Sequence, residues 1–411
     1  MSPEISSHKP ISRSPLDGKN VVLGVTGSIA AYKAVDIASK LVQAGANVNV
    51  IMTTAATEFV GSSTFAAITH LPVTTDLWEA HSELNIDHVA LALRADCVLI
   101  APTTANTLAK LALGITDDPL TATVLATEAP VIVAPAMDSD MFLSPSTQRN
   151  VKTLVKDGII VVGPEEGRLA SGLVGSGRLV DTATLVGLVR QAIGRNGDYA
   201  GRRVIVSAGG TNQPIDPVRF ISNRSTGKMG YAIAEAARDR GAEVTLVTAS
   251  DLPVPSGMTI INTVTVADMR DAILPISSDG DLLIMAAAIS DFTPVDVADQ
   301  KIKKKGEGSM SLELTMVEDF MPLAHGKNLV KVAFAAETSN LEANAQAKAI
   351  PKGAAFVVAN NVKEPGSGFG TDTNKVTFVD PDGNTEPQPL MNKLDVGHAI
   401  LDRALTHLSK R

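Results

Sequence analysis

The chain has 411 residues, 45% hydrophobic and 19% charged, a balance that builds full cores, excludes global disorder and, at ~150 residues per domain, allows two or three domains. Aromatic residues make up 3% and the net charge is −8, from 36 basic and 44 acidic residues, which argues against a nucleic-acid binder that stacks bases on rings and against a general pull toward anionic membranes. Any phosphate site must be local, and the single cysteine, Cys97, allows neither an intrachain disulfide nor a cysteine zinc site and fits a reducing cytosol.

Residues 1–18 are rich in Ser and Pro and lack an apolar core segment, so they read as a disordered tail and not as a secretory signal. No apolar run, Leu282–Ile289 included, is long enough to span a bilayer; a cytoplasmic protein is expected. Val21–Val25 predicts a strand, followed by a helix with Ala30, Ala34, Ile37, Ala38 and Leu41 on one face and Gly45 as its stop. Further strands are expected at Val48–Met52, Val98–Ala101, Val131–Ala134 and Ile159–Val162, the middle two ending in Pro-containing loops. A second start appears at Val204–Ser207, then a helix from about Gly230 to Arg240 and a strand at Val244–Thr248. The halves echo each other: Gly45-Ala46-Asn47-Val48 matches Gly241-Ala242-Glu243-Val244, and Ala95-Asp96-Cys97-Val98 parallels Gly280-Asp281-Leu282-Leu283. The pattern predicts an α/β protein of two doubly wound, mostly parallel-sheet domains, joined near Gly194–Asp198, each with a crevice at the carboxyl ends of its strands.

In the first half, Gly27-Ser28 lies between a strand and a helix. Small residues there let an anion approach the helix N-terminus; an ordinary tight turn is the other reading, since GxGxxG is absent. Pro102-Thr103-Thr104-Ala105-Asn106-Thr107 follows another strand with hydroxyl and amide groups, serving a ligand, a helix cap, or both. Pro135-Ala136-Met137-Asp138-Ser139-Asp140-Met141 follows the next, with Asp138 open to being a plain cap and Met141 plain core. His88 is a candidate proton carrier or an ordinary surface histidine.

In this order and spacing, Gly27–Lys33, the His88 segment, the PTTANT stretch and PAMxxxM resemble the flavin-containing cysteine decarboxylases over about residues 19–190. The resemblance implies a flavodoxin-like domain with FMN held by Gly27, Ser28, Thr53, Thr103, Thr104, Ala105 and Asn106. It makes His88 the active-site base and gives substrate contacts to Asn106, Met137, Asp138 and Met141. It implies that FMN oxidises a cysteinyl thiol to a thioaldehyde, CO₂ leaves, and reduced FMN returns the electrons. Two positions depart from the family. Asn is usual where Asp138 stands, and an ionised Asp would repel the substrate carboxylate, so either Asp138 is protonated or another donor serves. In the flap Arg168–Arg178 the family carries its proton-donating Cys where Ser171 stands, and Ser is a far poorer acid.

In the second half, Gly209-Gly210-Thr211 is a phosphate-friendly turn. The stretch 216–230 then gathers Arg219, Asn223, Arg224, Ser225, Thr226 and Lys228 before a helix. That suits a polyphosphate or a developing acyl-phosphate charge better than a solvated loop. Ala286-Ala287-Ala288-Ile289-Ser290-Asp291-Phe292 ends a strand with small residues, against which a nucleobase or sugar can lie, and with a carboxylate suited to Mg²⁺. Lys301, Lys303, Lys304 and Lys305 form a basic run, either a solvated face or a cationic cover over a triphosphate. Phe334-Ala335-Ala336-Glu337-Thr338 follows another strand.

ISNxSxGKMG, AAAxxDF, KIKK and FAAET together resemble the phosphopantothenate–cysteine ligases over about residues 200–405. Placed after the decarboxylase, they make the whole chain similar to the bifunctional coenzyme A biosynthesis enzymes, with residues 19–194 as decarboxylase and 195–411 as ligase. The resemblance implies that CTP and Mg²⁺ convert 4′-phosphopantothenate to an acyl-cytidylate, from which the amine of cysteine displaces CMP. The product, 4′-phosphopantothenoylcysteine, is then decarboxylated to 4′-phosphopantetheine. Asn223 would steady the acyl-cytidylate, Lys301 would serve the first half-reaction and Asp291 would hold the metal. Gly210, Arg219, Ala287, Phe292, Lys303 and Phe334 would contact substrate. It further implies a homododecamer built from trimeric and dimeric contacts. Other readings are a ligase with an altered flavin domain or a regulatory flavoprotein of the phosphatase-inhibiting kind, although an inhibitor needs no CTP site. A flavin prenyltransferase leaves residues after 200 unexplained.

Overall fold

Short β-branched and aliphatic runs alternate with amphipathic segments along the chain, and the computed structural model turns them into two mostly parallel sheets covered by helices. It describes residues 14–78, 87–303 and 310–408. The chain divides into two compact units, Met1–Gly194 and Arg195–Arg411.

The first unit has strands β1 (Asn20–Val25), β2 (Asn47–Met52), β3 (Cys97–Thr103), β4 (Val131–Pro135) and β5 (Ile160–Val161). They form one parallel sheet in the order β2-β1-β3-β4-β5. The helices are α1 (Lys33–Gln43), α2 (Thr54–Thr57), α3 (Ser62–Thr69), α4 (Asp87–Arg94), α5 (Ala105–Leu113), α6 (Pro119–Ala126), α7 (Ser139–Leu143), α8 (Pro145–Lys156) and α9 (Thr182–Gly194). Alternate strand residues enter two cores, because successive side chains in a strand point to opposite faces. Val21, Leu23 and Val25 pack on α1 and α9 through Ile37, Leu41, Leu185 and Val189. Val22, Val98 and Ile100 pack on the other face against Leu91, Leu108, Leu120 and Leu154. The strands β3 and β4 run through Pro102 and Pro135, beyond the ends expected from sequence. A hairpin of β6 (Glu165–Arg168) and β7 (Val174–Arg178) precedes α9.

The expected disordered tail needs correction at its inner end. Leu16 is fully buried in the first core, and Gly18 N donates to Gly45 O at 2.9 Å. One leucine among polar neighbours gives no periodic signal, yet burying it anchors the turn. Residues 1–13 lie outside the described residues.

The second unit has β8 (Arg203–Gly209), β9 (Asn212–Pro214), β10 (Phe220–Ser222), β11 (Glu243–Ala249), β12 (Thr259–Asn262), β13 (Leu282–Met285), β14 (Phe292–Pro294), β15 (Leu314–Met316), β16 (Val330–Glu337), β17 (Phe356–Asn361), β18 (Thr373–Asn374), β19 (Thr377–Val379), β20 (Thr385–Pro387) and β21 (Met391–Asn392). The large sheet runs β12-β11-β8-β13-β16-β17-β19-β20, with the first six strands parallel and the last two antiparallel. This is the doubly wound order of dinucleotide-type folds. Helices α10 (Lys228–Arg238) and α13 (Lys393–Leu408) cover one face, over Val204, Val206 and Val358. Helices α11 (Val266–Ser277) and α12 (Leu341–Lys352) cover the other, over Ile205, Leu283 and Val357. Among the described residues no helix is long and apolar enough to cross a membrane.

Tyr199 seats the start of this unit. Its buried hydroxyl donates to Leu401 O at 2.6 Å, and Arg240 lies 5.0 Å over its ring. Tyr199→Phe keeps the ring but removes a buried hydrogen bond to a helix carbonyl, at a cost of about 1 kcal/mol. Calorimetry of the variant is expected to show the transition of this unit falling by a few degrees; an unchanged transition would show that the hydroxyl adds nothing.

Candidate active sites

In the order β2-β1-β3-β4-β5, connections leave β1 in opposite directions and a crevice opens between the carboxyl ends of β1 and β3. Thr26, directly after β1, is buried and clasps this point: its hydroxyl donates to Pro102 O at 2.8 Å and accepts from Thr104 N at 3.0 Å. Ser28 Oγ accepts from Ala30 N at 3.3 Å and donates to Ala136 O at 3.2 Å, joining the loops after β1 and β4. Thr104 caps α5 through Thr107 N at 3.3 Å. The buried Thr103 spends its hydroxyl inside the sheet, on Ile100 O at 2.7 Å and Ala134 N at 3.2 Å. Ala105 is half-buried and Asn106 exposed beside it. Thr53 follows β2, and its Oγ1 is buried with no partner among the described residues. His88 is the second residue of α4, which leads into β3. A helix returning antiparallel to its strands starts at their carboxyl edge, so His88 belongs to the same edge as Gly27, Ser28, Thr53 and residues 103–106.

The flap reaches this edge. Met137 N donates to Gly177 O at 3.1 Å, and a Cβ at Gly177 would lie 2.1 Å from Met137 O, so glycine is required for this approach. The flap thereby brings the two departures from the family together. Ser171 Oγ donates to Asp138 Oδ2 at 2.6 Å. Asp138 also caps α7, accepting from Asp140 N at 3.3 Å. The Ser171 hydroxyl, aided by that backbone N–H, holds the Asp138 carboxyl below the usual carboxylate range. These contacts favour the ionised form of Asp138 over the protonated alternative. Met141 is 52% exposed on α7, where a core role would have buried it.

The second sheet has its own switch point, between β8 and β13. Here too a buried threonine clasps it: Thr211 Oγ1 accepts from Ser290 N at 3.0 Å and donates to Ser290 Oγ at 3.3 Å. Gly210 bridges to Ala288, and a Cβ at Gly210 would lie 2.8 Å from Asn223 O, so this glycine lets residue 223 lie on the strand ends. Asn223 Nδ2 donates to Ala288 O at 3.3 Å and Ile289 O at 3.0 Å. The amide hydrogens expected to meet an acyl oxygen are therefore spent on the loop that carries Ala287.

A cavity of about 640 Å³ lies over this edge. Of the residues expected from sequence, Asn223, Arg224, Ser225, Thr226, Lys228, Ala287, Asp291 and Phe334 line it. Gly210 is buried just behind Asn223, while Arg219, Phe292, Lys301 and Lys303 stand outside the lining. Lys304 and Lys305 lie outside the described residues. The lining also holds Lys348, Lys352 and Lys393, which sequence reading missed. Lys348 and Lys352 were legible in principle, since an i,i+4 pair shares one face of a helix. Among the described residues no three His, Cys, Asp or Glu side chains gather to hold a metal ion. Asp291 alone suits a cation completed by substrate phosphates, the usual habit of Mg²⁺.

Arg219 and the basic run are fastened by Asp216, a fully buried carboxylate. Its Oδ2 accepts from Arg219 Nη2 at 2.5 Å and Nε at 3.0 Å and from Ile302 N at 3.2 Å; its Oδ1 accepts from Val218 N and Arg219 N, both at 2.9 Å. Arg219 Nη2 also donates to Ile302 O at 3.0 Å. The Arg219 guanidinium holds the carboxyl far below the usual range. A group with a depressed folded-state pKa keeps its contribution above the unfolded value and loses it only as pH falls through the folded value, so this anchor persists across neutral pH. Asp216→Asn is expected to let trypsin cut after Lys301 or Lys303 several-fold faster, with little change in global unfolding. An unchanged rate would show that the strap is held by something else.

A family model, "Flavoprotein", matches residues 10–194, and another, "DNA/pantothenate metabolism flavoprotein C-terminal domain", matches residues 199–408. The coenzyme A biosynthesis bifunctional protein CoaBC of Bacillus subtilis (strain 168) is 44% identical over 402 residues, covering 96% of this chain and 98% of its own length. That of Vibrio vulnificus (strain YJ016) is 39% identical over 397 residues, covering 95% and 98%. The crystal structure of the FMN-dependent cysteine decarboxylase SpaF covers 43% of this chain and 98% of its own, with 36% identity and a TM-score of 0.39. With identity at this level along nearly the whole length of both chains, this chain belongs to the family of the bifunctional coenzyme A biosynthesis proteins CoaBC.

Proposed function

We propose that residues 195–411 ligate cysteine to 4′-phosphopantothenate with CTP, and that residues 19–194 decarboxylate the resulting 4′-phosphopantothenoylcysteine to 4′-phosphopantetheine. The carrying observation is a shaped switch point in each sheet, with the decarboxylase-like residues at one and the ligase-like residues at the other.

The first switch point fits a flavin. Thr53 Oγ1 is a buried hydroxyl lacking a partner among the described residues, and Ser28 and Thr104 cap loop turns at the same sheet edge. Gly27, Ser28, Thr53, the backbone of Thr103, Thr104, Ala105 and Asn106 would hold FMN, which supplies two-electron redox chemistry when bound. His88 moves the proton of the substrate thiol, and Met137 and Met141 border the substrate. An ionised Asp138 would repel a carboxylate, which would favour its departure as CO₂ but oppose its binding. The Asp138–Ser171 pair therefore supports a second reading, a ligase with an altered flavin domain.

In the ligase, the Lys348 and Lys352 ammonium groups would offset the charge of a triphosphate, Asp291 would help hold Mg²⁺, which supplies charge neutralisation when bound, and Ala287 and Phe334 would border the nucleoside. Asn223 holds the loop on which the acyl-cytidylate forms, and Arg219, Lys301 and Lys303, fastened by Asp216, add positive charge from beside the cavity. A cytoplasmic homododecamer with trimeric and dimeric contacts accords with this reading.

Purified protein given CTP, Mg²⁺, cysteine and 4′-phosphopantothenate is expected to release both CMP and CO₂. CMP without CO₂ would select the second reading, and no CMP would sink the ligase assignment. His88→Asn is expected to lower CO₂ release at least about a hundredfold, in line with the loss of a proton-transfer group, and to spare CMP; equal loss of both would contradict separate sites. Thr53→Val is expected to weaken flavin retention, read as loss of yellow absorbance per chain, without lowering the melting temperature of flavin-free protein. Full retention would show that the orphan hydroxyl serves no flavin.

A further inference from the structure

Loss of CO₂ from a carboxylate consumes one proton. The C–C bond breaks, its electron pair is left to the carbon, and a proton completes a C–H bond in place of the carboxyl group. On the decarboxylase reading above, His88 takes the thiol proton and returns it to sulfur, so the carbon needs a second acid. The flap, residues 168–178, holds no Cys, His, Asp or Glu. The single cysteine, Cys97, is fully buried within β3. What the flap does hold is Ser171, bonded to Asp138.

Asp138 stands at the crevice. It follows β4 on a loop tied to the β1 loop by Ser28 Oγ and Ala136 O at 3.2 Å, and to the flap by Met137 N and Gly177 O at 3.1 Å. Its Oδ2 accepts from Ser171 Oγ at 2.6 Å and its Oδ1 from Asp140 N at 3.3 Å. Among the described residues no cation offsets its charge. Asp140 shares α7, Arg178 of β7 is bound to Glu165 at 2.7 Å, and neither Arg149, Lys152 and Lys156 of α8 nor Arg168 of β6 acts on it. Its carboxyl responds to Ser171, to two backbone N–H groups and to burial, which favour the ionised form in the free chain. A second carboxylate changes that balance, because two carboxylates brought together without a cation share one proton.

One proton lifts both costs of the pair. A protonated Asp138 no longer opposes the substrate carboxylate. It also donates to Ser171 Oγ across the same contact, since a hydroxyl accepts as well as donates, and the serine hydrogen is freed to turn toward the substrate. We propose that Asp138 and Ser171 together are the acid of the decarboxylation: Asp138 takes up a proton from solvent as the substrate carboxylate docks, and Ser171 relays it to the carbon that CO₂ leaves. Ser171 gives its hydrogen to carbon as it receives that of Asp138, so Asp138 ends as the carboxylate it began as and the net reaction consumes the one proton it must. This rests on the decarboxylase reading and names the acid that reading lacks.

Calorimetric titration of the full, FMN-loaded chain at neutral pH, in two buffers of different ionisation enthalpy, counts protons taken up per ligand bound. The ligands are 4′-phosphopantothenoylserine, which keeps the carboxylate but has no thiol to oxidise, and 4′-phosphopantetheine, which lacks the carboxylate; their shared phosphate cancels in the difference. The acid is expected to bring up to about one proton more than the thiol. Asp138→Asn, which keeps the cap of α7, is expected to erase that difference. Ser171→Ala is expected to keep it and to slow 4′-phosphopantetheine formation about a hundredfold, with Ser171→Cys recovering most of the rate. A difference that survives Asp138→Asn, or Ser171→Ala turning over at full speed, would overturn the proposal. If the unaltered chain releases no CO₂ from 4′-phosphopantothenoylcysteine, the decarboxylase reading itself fails. If it releases CO₂ and the extra proton is missing, the acid assignment alone fails.

Discussion

A parallel sheet whose connections leave one strand in opposite directions must open a gap at its carboxyl edge, and every candidate site here depends on how that gap is held. Two unclasped loops would fray apart and expose strand-end polar groups. Each sheet answers with a buried threonine within two residues of the end of its first strand. Thr26 ties the loop after β1 to the loop after β3, and Thr211 ties the loop after β8 to the loop after β13. In both, one hydroxyl donates across the gap and accepts from across it, so the two loops move as one. The residues proposed to meet ligands, Ser28 and Thr104 in one sheet and Asn223 and Asp291 in the other, sit on loops fixed by these clasps.

Charge is laid out on that frame. The chain is acidic overall, with 44 acidic against 36 basic residues, yet lysines from both helical layers meet over the second switch point. Such a local excess focuses an anionic substrate without making the whole surface attractive to polyanions. Two kinds of fixing are used. Lys348 and Lys352 are steadied by exposed or half-buried carboxylates, which a phosphate can outcompete, whereas Asp216 is buried and holds Arg219 and the Ile302 backbone permanently.

The strands, their parallel pairing and the two-unit division were legible because buried parallel strands are continuous apolar runs, as in Val98–Ile100 or Leu282–Met285. The motif residues Asn223, Ala287, Asp291 and Phe334 were legible because small and polar groups directly after a strand mark its carboxyl edge. What stayed hidden depends on contacts between distant segments. Lys393 opens an ordinary amphipathic helix, and nothing around it in sequence says that it meets Lys228 across a shared loop. Asp216 read as one member of a charged stretch, since its bond to Ile302 spans 86 positions. Thr53 carries no local signal that its hydroxyl is orphaned. Leu16 looked like part of a tail because a single anchoring side chain has no period.

The flap shows why two departures from a family pattern should be weighed together. Taken singly, Asp138 costs a substrate donor and Ser171 costs a proton donor. The structure joins them: the weak acid Ser171 gives its only proton to the Asp138 carboxylate at 2.6 Å. An asparagine at 138 would have its own hydrogens to give and would not draw the serine hydroxyl as strongly, because a hydrogen bond to a charged acceptor is about twice as strong as one to a neutral group. A cysteine at 171 would offer a weak thiol donor in place of the hydroxyl. The Asp–Ser combination is thus self-consistent as a latch between the flap and α7, reinforced by the backbone bond from Met137 N to Gly177 O. On the proposed decarboxylase reading its cost would fall on chemistry, because a carboxylate occupied by serine would neither welcome another carboxylate nor leave the serine free to protonate carbon.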